Sequence, residues 1–115
     1  RAGDRSQTMM RARIGFLLMA LLALPAAAET WTGRVVDVLC KDRDAANHTR
    51  QCAIVCSQTG YGLVTSDGKF TRFDSAGNAR TLAALKASSK ENDLRVKVTG
   101  TRDGDIIKVD SIVLE

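Results

Sequence analysis

Apolar positions follow two different patterns along this chain. Between residues 14 and 24 they form one nearly unbroken run, preceded by Arg11 and Arg13 and followed by Pro25, Ala26, Ala27 and Ala28. A basic start, an apolar middle and small residues before a cleavage point mark a secretory signal peptide. Residues 9–28 are therefore expected to direct export and to be removed, which places the working protein in the periplasm or outside the cell. The run rises only about 16 Å as a helix, against roughly 30 Å of hydrocarbon in a bilayer, so no permanent membrane anchor is expected. Residues 1–8 precede the first Met and show no apolar pattern; they are expected to be an upstream extension outside the native fold.

Beyond Glu29 the apolar positions come in short alternating groups. Residues 30–39 are rich in β-branched and apolar types and read as a first strand, with Gly33 marking a bulge or bend. A polar stretch follows, in which Asp44 or Asn47 caps a helix expected to run to about Thr59 and to stop at Gly60. At 100° per residue, Ala45, His48, Thr49, Cys52, Val55, Cys56 and Thr59 share one face of that helix, its expected inner side, while Ile54 does not fit the pattern. Residues 61–65 and 69–73 flank Ser66-Asp67-Gly68 and read as a hairpin. The stretch 74–78 is rich in turn formers, and Leu82 and Leu85 mark a short helix over 79–88. Residues 94–101 alternate cleanly and join residues 106–114 through a turn at Asp103-Gly104; the last strand alternates imperfectly and reads as buried on both faces.

This order predicts a mainly β domain with two short helices. Five short strands in 87 residues, 29–115, bury their apolar faces best in a small OB-like barrel, with one helix between the third and fourth strands and another after the first. The alternative is an open α+β antiparallel sheet with both helices on one face. Charge narrows the function. Of 17 basic and 13 acidic residues, four and one respectively precede Glu29, so the domain itself carries thirteen against twelve. That near-neutral balance does not suggest a nucleic-acid partner. Phosphate-binding loops, nucleophile elbows, a zinc-protease helix and a haem-attachment motif are all absent, and the domain is not expected to be an enzyme. No residue pattern identifies its partner.

The chemistry-bearing residues are concentrated. All three cysteines and the single histidine fall between Cys40 and Cys56. Together with Gly33, Val35 and Asp37 ahead of Cys40, with His48, Cys52 and Cys56 following one another at intervals of four, and with Gly68-Lys69 and Val98-x-Gly100 behind, they resemble a family of small exported bacterial proteins of uncharacterised role. The resemblance spans nearly the whole domain. It implies an exported location and an OB-like shape and brings no established activity.

Three uses of the cluster compete. Cys40, His48, Cys52 and Cys56 are donors that zinc or copper prefers. On one regular helix, however, residues 48 to 56 span about 12 Å, so four ligands on one ion require a break in that helix. An oxidising compartment instead favours a staple, a disulfide from Cys40 to Cys52 or Cys56. The spare thiol is then a candidate reactive or redox, metal-binding or intermolecular-disulfide site, beside His48. Finally, reduced cysteines pack like any small apolar side chain, and a lone histidine on such a face is commonly a core residue. Asp37, Asp42 and Asp44 near Cys40 are expected to cap, turn and solvate. Tyr61, Phe70 and Phe73 are expected in the core rather than on a stacking surface. The Cys-x-x-x-Cys spacing also occurs in copper-delivery proteins of thioredoxin-like fold, but the strand order of that fold is missing here.

Overall fold

The computed structural model describes residues 27–115; the extension and all but the last two residues of the expected signal peptide lie outside the described residues. Five strands form one sheet: β1 (Glu29–Asp37), β2 (Tyr61–Val64), β3 (Phe70–Phe73), β4 (Arg95–Asp103) and β5 (Ile106–Leu114). Helix α1 (Arg50–Val55) lies between β1 and β2 with three short 3-10 turns around it, and α2 (Ser75–Ala87) lies between β3 and β4. Hydrogen bonding runs in the order β1-β2-β3-β5-β4, and β4 pairs back onto β1. Every strand thus has two neighbours, and all pairs are antiparallel except β3 with β5. An open, wholly antiparallel sheet, the alternative layout, differs on both counts. Among the described residues no helix is long and apolar enough to cross a membrane.

Alternation places the core. Val96 and Val98 are buried while Arg95 before them and Lys97 between them are exposed, and Ile107 and Val109 are buried around exposed Lys108. With Leu94, Val35, Leu63, Tyr61, Phe73 and Leu85 they make one apolar cluster. Each such side chain contributes about 1.5–3 kcal/mol when fully buried. The irregular last strand is not buried on both faces. Thr99 lies opposite Ser111 but Gly100 lies opposite Val109, so Asp110 is bulged out of register. The inward phase passes from Ile107 and Val109 to Ile112 and Leu114, which pack partly buried against the core. At this crossing a Cβ on Gly100 would meet the Lys108 carbonyl oxygen at 2.0 Å, which explains the missing side chain.

The first hairpin forms as its turn chemistry requires. Gly68 takes a positive φ of 80°, and Asp67 Oδ1 accepts from the Lys69 backbone N–H at 3.1 Å. The second helix starts earlier than its leucines suggest. Asp74 accepts from Gly77 N at 2.9 Å as an N-cap and from Val109 N at 3.2 Å, joining the helix start to β5. The turn-forming residues 75–78 are thereby drawn into the first turn of α2.

Candidate metal centre

Asp37 ends β1 at a point where alternation stops: Val35, Val36 and Asp37 are all fully buried. The chain then tightens into a 3-10 turn, Val38–Cys40, anchored by Val38 N donating to Gly60 O at 3.0 Å. This turn carries the Cys40 thiol back over the Asp37 carboxyl group. A second 3-10 turn, Ala45–Asn47, is capped by Asp44, which accepts from Ala46 N at 3.1 Å and from Asn47 Nδ2 at 2.6 Å.

The expected helix over this region is not continuous. His48 is extended, with φ −69° and ψ 130°, between the 3-10 turn and α1. Thr49 then restarts the helix by accepting from Cys52 N at 3.1 Å. Long-range contacts hold the break open: Thr49 bridges to Asn92, and Arg50 N donates to Glu91 O at 2.9 Å. Freed from the helix, the imidazole turns inward and is nearly fully buried.

Asp37, Cys40 and His48 each offer one ligand atom, and these atoms lie within 4.8 Å of one another. His48 Nε2 stands 2.8 Å from Asp37 Oδ1, but the two are not aligned for a hydrogen bond. Both Asp37 oxygens and His48 Nε2 are buried with no well-aligned hydrogen-bond partner. Buried polar groups are normally satisfied, because an unpaired one costs about 1–3 kcal/mol. A carboxylate oxygen, a thiol sulfur and an imidazole nitrogen converge here, with the Cys40 thiol in hydrogen-bonding contact with Asp37 and His48 at ion-pair distance from it, and this donor set suits zinc. Burial pushes the Cys40 thiol pKa above its usual value, and the charge and contact of Asp37 push it further, opposed by Arg43. A cation at this point reverses that effect by stabilising the thiolate.

Tyr61 braces the arrangement. Its hydroxyl donates to Ala53 O at 2.7 Å, tying β2 to α1, and burial, with lesser contributions from Asp37 and Cys56, pushes its pKa up to about 12.

Of the four ligands expected from the sequence, the structure gathers Cys40 and His48. Cys52 is exposed and Cys56 is half-buried, and with Cys40 they line an open cavity of about 480 Å³. All three are free thiols in this structure. The expected inner face of α1 is therefore corrected. Ala53 is fully buried and Ile54 packs on the core, whereas Cys52 and Val55 point out, because the break at His48 rotates α1 away from the phase of a longer helix. Tyr61 and Phe73 lie in the core as expected, and Phe70 is half-buried. Asp37 is a candidate donor that the sequence reading assigned only to capping, turning and solvation. Its signal was an acid between apolar neighbours, Val36 and Val38, in a strand, three residues ahead of a cysteine.

Fold and site together define a small mainly β domain with a buried oxygen and nitrogen and a half-buried sulfur brought together at the end of its first strand. Comparison of the chain with protein-family models, curated proteins and solved structures finds no match.

Proposed function

We propose that this protein is an exported, non-enzymatic OB-like binding module whose first strand and the turns after it hold a borderline dication such as zinc through Asp37, Cys40 and His48. The observation that carries the reading is the convergence of Asp37, Cys40 and His48, whose ligand atoms lie within 4.8 Å of one another with His48 Nε2 2.8 Å from Asp37 Oδ1. A dication taking one oxygen of Asp37, the Cys40 sulfur and His48 Nε2 has three protein ligands, which leaves one position of a tetrahedral ion for water. The β1-β2-β3-β5-β4 ring, with α2 between β3 and β4, supports the OB-like description. Export is supported by the apolar run and small residues ahead of Glu29.

Titration calorimetry with Zn(II) on the purified domain tests the centre. One equivalent is expected to bind wild type and His48→Ala is expected to lose it; unchanged stoichiometry in that variant removes His48 from the site. A second reading, a disulfide from Cys40 to Cys52 or Cys56 stapling β1 to α1, is favoured by the cavity that all three thiols share. It excludes the first, since it consumes the Cys40 thiolate. Thiol counts under denaturing conditions, with and without reductant, separate them: three free thiols with co-purifying metal support the centre, three without metal leave reduced cysteines with neither role, and one supports the staple.

A further inference from the structure

The dication centre employs one of three sulfurs and leaves Cys52 and Cys56 without a role. Yet both line the same open cavity of about 480 Å³ as Cys40, which the turn after β1 borders on one side and α1 on the other. The remaining lining comes from Leu39, Val55, Arg43 and Gln51, with no carboxylate or imidazole. Leu39 and Val55 are 68% and 70% exposed, an unusual setting for large apolar side chains in a domain this small.

Cys52 and Cys56 are one helical turn apart, and Cys56 N donates to Cys52 O at 3.0 Å. Side chains at this spacing have Cβ atoms about 5–6 Å apart, wider than the roughly 3.8 Å of a relaxed disulfide. Two sulfurs bonded to one ion at about 2.3 Å lie roughly 4 Å apart, which this spacing allows. Three thiolates with exposed Leu39 and Val55 beside them, and no carboxylate or imidazole, suit a soft ion such as Cu(I).

We propose that the cavity is a Cu(I) site built on Cys40, Cys52 and Cys56, and that it competes with the dication centre for the Cys40 sulfur so that the two ions exclude each other. The exclusion rests on the dication reading; the Cu(I) site stands without it. Each thiol that binds releases its proton to solvent and donates a lone pair, and the copper stays Cu(I) throughout, with no electron transferred. Among the described residues only Asp37, Cys40 and His48 already bring three ligand atoms within 4.8 Å of one another. The thiols therefore close on the ion by side-chain rotation, which the exposure of Cys52 permits. Arg43 on the rim offsets part of the thiolate charge.

The test uses the domain under anaerobic reducing conditions, with Cu(I) competed against a chromogenic chelator and Co(II) as the spectroscopic probe of the dication centre. Wild type is expected to take one Cu(I). Cys52→Ser and Cys56→Ser are each expected to weaken Cu(I) by about tenfold or more while keeping the Co(II) spectrum, and Asp37→Asn to lose Co(II) while keeping Cu(I) affinity within about twofold. Adding Cu(I) to the Co(II) form is expected to abolish the cobalt–thiolate charge-transfer band. No Cu(I) binding by wild type, or wild-type affinity in the Cys52→Ser/Cys56→Ser double variant with native circular dichroism, overturns the site. An intact cobalt–thiolate band with Cu(I) bound overturns the exclusion. Failure of Co(II) alone to bind refutes the dication centre and leaves the Cu(I) measurements to be read independently.

Discussion

Replacing Asp37 by Asn separates what the buried carboxyl group does for the fold from what it does for a metal. In the metal-free protein both its oxygens are buried and without a well-aligned hydrogen-bond partner, beside a histidine nitrogen in the same condition. Leaving such groups unmade costs about 1–3 kcal/mol apiece. Asn has nearly the same shape, removes the acid, and places an N–H donor within reach of His48 Nε2, which lies 2.8 Å from Oδ1. Metal-free Asp37→Asn is therefore expected to be more stable than wild type by about 1–2 kcal/mol, a rise in melting midpoint of roughly 5–15 °C for a domain of this size. Zinc reverses the order. At a concentration about a hundred times its dissociation constant, the ion stabilises wild type by about 2.7 kcal/mol, or roughly 10–20 °C, and the variant, lacking one ligand, by little. Melting curves followed by circular dichroism, in chelator and in excess Zn(II), give all four midpoints. A variant less stable than wild type in chelator, or one that zinc raises by the same amount, would refute the assignment of Asp37 as a ligand held ready at a stability cost.

Three further outcomes are expected. Cys40→Ser should abolish the zinc-induced rise in midpoint while reductant leaves the wild-type midpoint unchanged; under the staple reading it should instead destabilise by about 2–5 kcal/mol, and reductant should reproduce the loss. Tyr61, the only tyrosine, has a folded-state pKa raised from 10 to about 12. The unfolded chain therefore loses this proton first, and stability that is complete below pH 10 should fall by about 3 kcal/mol as pH rises to 12. Tyrosinate absorbance during alkaline titration checks this, and Tyr61→Phe should remove the dependence while costing about 1–2 kcal/mol at neutral pH through the orphaned Ala53 carbonyl. Gly100→Ala, whose Cβ would lie 2.0 Å from the Lys108 carbonyl oxygen, should lower stability by about 1–3 kcal/mol in urea denaturation, with an unchanged midpoint counting against the tight β4–β5 crossing.

Much of the fold was legible because its signals are local. The Asp67-Gly68 turn, the alternation of Leu94, Val96 and Val98, and the spacing of Leu82 and Leu85 each lie within one element, and each falls on the element it predicts. The site was half legible. Nearness in sequence brought Cys40 and His48 into view, but a helical wheel assumes an unbroken helix, and it placed Cys52 and Val55 inward and Ile54 nowhere. The structure puts Ile54 on the core and Val55 in solvent. The local caps Asp44 and Thr49 permit the break at His48, yet only the distant residues Glu91 and Asn92 hold it.

By itself, then, the sequence determined where the strands lie and their hairpins turn, and which residue types stand ready for metal or disulfide chemistry, because periodicity and turn preferences act over a few residues. Only the tertiary structure decided that β4 returns to β1, that Asp110 is bulged so that β5 changes its inward phase, that Asp37 faces the buried His48, and that Cys52 faces the cavity. Those outcomes depend on contacts between residues far apart in the chain, which no local pattern records.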